Sequence, residues 1–513
     1  MASEVVSKSA PTGGWNTIDA LAAMPPGDAI IMDNWFPNTS GVTTRSGYRV
    51  HTTGGMGSLP VETLLTYAGA TGSKMFAFAN NKIYEVTTFN TTATDVTAGS
   101  AITSNRWQGL QFGGFLIAFN GADVPRKYDG SVWTDAVYTG SGLTPTNLIH
   151  INAYRSRLYL VEKGTLTYWY GGTNLVTGAL IAVDLSTIFQ RGGYLVATAT
   201  WTRDSGNGPD DYFVALSSTG EYLLYLGSDP SNSDWTIVGR FQMGAPISRR
   251  CFARVGPELV VACQDGLVPL TKAMSRGQVD DGANSAISAK IQPTFTQAAS
   301  SYESNFGWEV MLYPLGSYLL VNVPLQNSGS VVNAQQYVVN TKTGAWCRFI
   351  GQNAICWTLF NNLPYFGTAV GTVMQADYGF SDGSTGVVQS NGALIAYDVK
   401  SAFDYYGQPR GQQKQFQMVR PLISANGPMT VTLDQQVDYE DAAIHTTVSS
   451  GGAGTPWGSP WGSPWGDSMQ VNRDWFGTEA IGYCAALRVG VSSKTQRMTF
   501  TAYDVMFERG GFV

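Results

Sequence analysis

Short hairpins recur along most of this chain, and that repetition limits its fold more than any single residue does. Six segments carry the unit plainly, at 76–87, 116–128, 158–170, 213–226, 260–271 and 364–376. In each, an apolar or aromatic run meets a polar or glycine turn and a second apolar run follows, as in FVALSSTGEYLLYL at 213–226. Asn-Gly, Asp-Gly and Thr-Gly turns let two strands reverse without steric cost. A weaker seventh copy spans 309–323. Most neighbouring centres lie roughly 40–55 residues apart, the period expected when each hairpin belongs to one four-stranded blade. The expected fold is all-β: a β-propeller of about six to eight blades, regular or not, with a β-rich platform built from the N- and C-terminal segments.

Composition suits that reading. The 513 residues include 59 glycines, 25 tyrosines and 14 tryptophans, enough for many short strands, tight reversals and aromatic cross-strand packing. Only 13% of residues are charged and the net charge is −6. No Lys/Arg cluster of the kind that grips phosphates occurs, so a dedicated nucleic-acid groove is not expected. Mild negativity does fit a surface that DNA must pass without sticking. The five cysteines (Cys251, Cys263, Cys347, Cys356, Cys484) are scattered and odd in number. Reduced, buried thiols are expected, because a chain this long needs no staples. The N-terminus lacks the pattern of a signal peptide, and no apolar run is long enough to span a bilayer. The expected product stays in the cytoplasm of the cell that makes it, unless an assembly carries it out.

Three regions are expected: an attachment segment at 1–58, the propeller at 59–384 and a C-terminal β domain at 385–513. In the first, Pro25-Pro26 separates two short elements, and 28–36 suits either two helical turns or a strand. In the last, 393–406, 414–424, 429–438 and 488–508 read as longer strands. Between them, 455–466 repeats Pro-Trp-Gly three times. Proline fixes φ and glycine frees it, so this stretch reads as a loop, not a ladder strand. Its tryptophans, Trp457, Trp461 and Trp465, either pack back on the domain or meet a partner.

Catalytic patterns are weak. Asp210-Asp211 and Glu440-Asp441 sit in polar, turn-like contexts, where solvated charge is expected and not a glycosidase pair. The one GxSxG match, Gly379 to Gly383, runs into more Ser and Gly and not into the helix that a nucleophile elbow requires. The three histidines stand in no triad context, and no phosphate-cradling loop is present. The loop from Asp204 to Asp211 is rich in oxygen ligands but lacks calcium-hand spacing. No cofactor, no metal and no enzymatic activity are expected. The nearest basic pair, Arg249-Arg250, reads as two residues on opposite faces of a strand. Solvated arginines are one reading; in the other, one pairs with a carboxylate and its neighbour reaches another subunit.

The opening Gly13-Gly-Trp-Asn-Thr, Leu21-Ala-Ala-Met-Pro-Pro-Gly-Asp-Ala, Asp33-Asn-Trp-Phe-Pro and Arg45-Ser-Gly-Tyr48 resembles the start of the tail nozzle proteins of short-tailed bacteriophages. These podovirus virion proteins are also called tail tubular protein B or packaged-DNA stabilisation proteins. Phe119-Asn-Gly-Ala-Asp, Ser218-Thr-Gly-Glu-Tyr and Gly266-Leu-Val-Pro-Leu270 are similar to the same family, while the C-terminal part matches least. The resemblance implies a propeller with an added platform and a homohexamer below the portal and its adaptor or head-to-tail connector. It also implies tail fibres or spikes outside, and a channel for DNA ejection that passes double-stranded DNA without sequence-specific binding. No catalytic residue comes with it. Six copies of a −6 chain total roughly −36, and a like-charged lumen would repel DNA enough to prevent stalling. The rival expectations are a carbohydrate-active propeller, lectin or glycosidase, with the Pro-Trp-Gly tryptophans stacked on sugars, and a propeller adaptor for other proteins.

Overall fold

The computed structural model describes residues 3–510 apart from 71, 205–208, 276–285, 329–330, 408–409, 428, 442–445, 451–469 and 473. Trp457, Trp461 and Trp465, and the centre of the Asp204–Asp211 loop, lie outside the described residues. The protein is all-β: among those residues, α-helix is confined to Leu270–Ser275 and Gln292–Tyr302.

All seven expected hairpins form antiparallel pairs, each in a different sheet. The first sheet runs Thr63–Gly69, Gly72–Ala79, Lys82–Glu85 and Thr94–Asp95. The second is Gln108–Phe112, Phe115–Phe119, Arg126–Tyr128 and Trp133–Asp135. Leu148–Tyr154, Arg157–Glu162, Thr167–Gly171 and Gly178–Asp184 make the body of the third, and the fourth spans Leu195–Asp204 to Thr236–Gln242. The fifth has three strands, Phe252–Val255, Glu258–Cys263 and Gly266–Pro269, because the chain then turns into the helix Leu270–Ser275. Glu309–Tyr313 through Trp346–Ile350 form the sixth. The seventh takes Cys356–Phe360, Leu363–Gly367 and Val373–Ala376 and adds Tyr48–Val50 from the N-terminal segment.

Turn chemistry explains where the chain reverses. Asn80-Asn81 and Asn361-Asn362 hold positive φ at both positions, the mirror-image turn whose twist suits a two-residue hairpin. Arg155-Ser156 does the same with residues that gain nothing from that conformation.

Adjacent sheets share apolar clusters, and the sharing is cyclic. Phe76, Phe78, Trp107, Tyr128 and Trp133 join the first sheet to the second. Ile117, Phe119, Leu160 and Trp169 join the second to the third, and Tyr159, Tyr168, Phe213 and Tyr225 join the third to the fourth. A larger core continues through Leu224, Val260, Leu267, Val321, Val338, Trp357 and Phe366, from the fourth sheet to the seventh. The seventh then returns to the first, with Cys356, Tyr365 and Val373 against Leu64, Met75 and Tyr84. Cys356–Phe360 also lies directly beside Thr63–Gly69.

The remaining strands form a platform. One of its sheets carries Lys414–Ala425 and Met498–Arg509, flanked by Glu4–Ser9, Trp35–Pro37, Val42–Thr44, Gln470–Asn472 and Phe476–Gly482. The other continues the sixth sheet outward: Trp346–Ile350 meets Asp28–Asp33, followed by Ile395–Ser401, Ala485–Ser493, Met429–Val437 and Thr446–Ser450. Residues 28–36 are thus strand and not helix. The long strand expected at 488–508 is two strands in two different sheets, broken by a turn at 494–497. All five cysteines are free and buried.

Candidate functional site at the axis of the sheets

Arg249 and Arg250 do not lie on a strand. They occupy a turn between Thr236–Gln242 of the fourth sheet and Phe252–Val255 of the fifth. Pro246 precedes that turn, and the Ser248 hydroxyl accepts the Arg250 amide at 3.1 Å while donating to the Trp308 carbonyl at 2.9 Å. The two side chains therefore reach inward, where both line two adjoining cavities of about 1000 and about 450 Å³. Both positions of the expected partner contact thus face cavities between the sheets.

Arg250 ties the sheets together. Its guanidinium donates to Glu309 Oε2 at 3.2 Å, to Thr63 Oγ1 at 2.8 Å and to the Trp107 carbonyl at 3.0 Å. Glu309 Oε2 accepts in turn from the Trp357 amide at 2.9 Å. One ion pair so bridges the first, second, fifth, sixth and seventh sheets. Burial raises the Glu309 carboxyl above its usual range, against the opposing pull of Arg250 and the Trp357 amide. The expectation that one arginine pairs with a carboxylate holds at Arg250.

Arg249 is different. Among the described residues its guanidinium makes no hydrogen bond and no ion pair. Burial depresses it; the neighbouring cations Arg250 and Arg106 push the same way, and Tyr194 opposes them. On the other side, burial and the Arg249 charge push His150 down to about 3, so this imidazole is neutral. Gly121 (φ +74°) brings its backbone within reach of both Ile149 and Arg249; a side chain there would strike Ile149.

The rim of the larger cavity is made of turns. Arg106 stacks on Phe306 with its Cζ 4.4 Å from the ring centre and pairs with Glu62 at 2.9 Å. Arg250 approaches the same ring at 5.4 Å. Asp123 holds the 103–106 segment in place, accepting from Thr103 and Ser104 amides and the Thr103 hydroxyl. Burial works to raise the Asp123 carboxyl, but these bonds and that from Asn120 outweigh it and keep it below the usual range.

The other candidate chemistry resolves into structure. Ser381, the central residue of the GxSxG match, is fully buried with its hydroxyl 2.6 Å from that of Ser384. Its neighbour Asp382 pairs with Arg45 through two hydrogen bonds of 2.9 and 2.7 Å. Asp210-Asp211 lies on the strand Pro209–Ser217 and not in a turn, and Asp211 accepts from Thr202. Asp441 pairs with Lys400 and Arg488. The Arg249–Arg250 pair was visible in the sequence, but Glu309, Thr63, Phe306 and Tyr194, far apart along the chain, carried no signal of their convergence.

No protein-family model and no curated protein matches the chain. Among solved structures, the computationally designed protein Ika8 is similar over 67% of this chain and 95% of its own, at 10% identity and a TM-score of 0.36. The extracellular domain of a hybrid two-component system protein from B. thetaiotaomicron is similar over 64% of this chain and 39% of its own, at 11% identity and a TM-score of 0.31. At such scores neither likeness bears on what this chain does.

Proposed function

We propose that the chain is a structural, non-catalytic subunit of a viral tail, a nozzle in which several copies, six in the expected assembly, surround a DNA ejection channel. In this reading the seven sheets are blades of a β-propeller, supported by the cyclic sharing of apolar clusters from the first sheet to the seventh and back. The observation that carries the reading is the sheet that runs without a break from the sixth blade into the platform. At that joint Asp28–Asp33 and Trp346–Ile350 pair in parallel at Asp33 and Arg348, whose side chains also form an ion pair at 2.6 Å, and a blade tied to its platform by backbone and charge together suits a rigid conduit. Arg45 reinforces the same joint. Besides Asp382, it donates to the Asn34 side chain at 2.8 Å and to the Ile350 carbonyl at 2.8 Å.

The axis of one chain is not the DNA path. Arg250 and Glu309 cross it, and a cavity of about 450 Å³ cannot hold a duplex. The major groove of a duplex is itself about 12 Å wide. A conduit therefore requires several copies around a separate lumen. Among the described residues no helix is long and apolar enough to cross a membrane. Negative-stain images of the purified chain, alone and with the tail adaptor, test the proposal: a six-fold ring with a central hole is expected. A chain that stays monomeric under both conditions while binding a glycan array would replace it with the carbohydrate-binding alternative.

A further inference from the structure

We propose that the larger axial cavity is a binding site for a small hydroxylated anion with one charged group, a sugar acid or a sugar phosphate, whose charged group is taken by Arg249. The proposal stands apart from the viral reading and holds for a monomer as well as for an assembly. It begins with charge. Three arginines crowd this end of the axis, and two are matched: Arg106 by Glu62 and Arg250 by Glu309. Arg249 has no such partner among the described residues, and its positive neighbours make its position worse. Lys163, also in the lining, adds a second cation, while the lining carboxylate Glu303 is engaged by Gln264 at 3.2 Å. A partly buried guanidinium without a counter-charge is unfavourable, and its fork of donors matches a carboxylate or phosphate.

Shape and lining supply the rest of the ligand class. At about 1000 Å³ the cavity lies at the upper end of the range for small-molecule sites. Tyr194, 47% exposed, offers aromatic surface, and Ser301 and Ser304 offer hydroxyls on the rim. An aromatic face and hydroxyls in one cavity with a fixed cation suit a sugar ring carrying a single negative group. A long apolar acid would leave the serines unsatisfied, and a polyanion would outnumber the free positive charge.

Thermal unfolding of the full chain with glucuronate, glucose 6-phosphate, inorganic phosphate and neutral glucose, each at 10 Kd or more where binding is detected by calorimetry, gives the test. Stabilisation by glucuronate or glucose 6-phosphate, at least fivefold weaker affinity for inorganic phosphate and none for glucose is expected; which of the two sugars binds tells carboxylate from phosphate. Arg249→Gln should abolish that binding while leaving the unliganded chain as stable as before or more so, since an unmatched charge has been removed. Binding that survives Arg249→Gln, equal binding of glucose or inorganic phosphate, or no binding by any of the four overturns the proposal. So does an unliganded Arg249→Gln chain that melts lower than the parent, because the arginine would then have a structural partner.

Discussion

Within the seven sheets, apart from Tyr48–Val50 in the seventh, paired strands are mostly close in sequence: Ala79 pairs with Lys82, Phe360 with Leu363 and Val255 with Glu258. In the platform many are remote, with Glu4 against Phe507 and Ala29 against Ser401, beside a few local pairs such as Pro37 with Val42. Closing a long loop costs conformational entropy before any contact repays it, so the two regions meet different demands. The ring repeats one cheap local unit and gains stability at each apolar interface. The platform assembles distant pieces once, and salt bridges mark its seams: Arg45–Asp382, Arg348–Asp33, Lys290–Asp28 and Arg509–Glu4. Redundancy protects the first region. The second depends on single joints.

Breaking one joint in each region tests that contrast. Arg45→Ala leaves Asp382 with its side chain only 10% exposed and no cation beside it. Such a loss costs about 3–5 kcal/mol, and it also frees the Asn34 and Ile350 oxygens. Urea unfolding should show this as the largest single effect, with Arg45→Lys recovering only part because the fork of two bonds is lost. A cost below about 1 kcal/mol would mean that apolar packing alone holds ring to platform.

Arg250→Ala is the matching cut at the axis. Its pair with Glu309 is slightly more exposed, at 12% and 16%, and neighbouring sheets keep their apolar clusters without it. The expected cost is about 3 kcal/mol, at the low end for a broken buried pair. Amide exchange should quicken first at Trp107 and Trp357, which flank the missing guanidinium. Slower or unchanged exchange there, with the loss appearing in the platform, would contradict the division into two regions.

His150 sharpens the picture of the axis through pH. Its pKa of about 3 lies far below the unfolded value of 6.5, so between those limits the unfolded chain binds more protons than the folded one. Its contribution to stability is complete above pH 6.5 and is lost progressively as pH falls toward 3. His150→Asn, whose side-chain oxygen can still accept from the Thr198 amide, should flatten that part of the stability curve. His51 is lowered in the same direction by burial and will leave a residual slope.

The same contrast explains what the chain reveals when read as letters. Seven hairpins were legible because each is written in a continuous stretch, with apolar runs on either side of a turn. The turn at Arg155-Ser156, which carries no Asn or Gly, lies before the hairpin read at 158–170 and gave no signal of its own. The platform was legible only as strands, since nothing local says that Asp28–Asp33 lies between Trp346–Ile350 and Ile395–Ser401. At the axis, adjacency suggested that Arg249 and Arg250 act as a pair. Their division of labour depends on Glu309, which pairs with Arg250 alone and which only the arrangement of the sheets brings near. The GxSxG match, read from its Ser- and Gly-rich continuation as no nucleophile elbow, is a structural element whose serine meets Ser384 and whose aspartate meets Arg45.

Glu309→Gln is expected to be the mildest of these changes, and it separates charge from hydrogen bonding at the axis. Burial raises the Glu309 carboxyl, so the folded chain holds this proton more tightly than the unfolded chain. That preference favours the fold at low pH and fades as pH climbs from the ordinary carboxylate range through the raised value. Glutamine keeps an oxygen for Arg250 and for the Trp357 amide but has no proton to lose. At neutral pH its cost should stay within about 1 kcal/mol, well short of Arg250→Ala. The stability difference between parent and variant, measured from pH 4 to 8, should drift in the variant's favour as pH rises. A drift in the parent's favour would show that Arg250 holds Glu309 ionised, and that the axis, like the platform seam, rests on its ion pair.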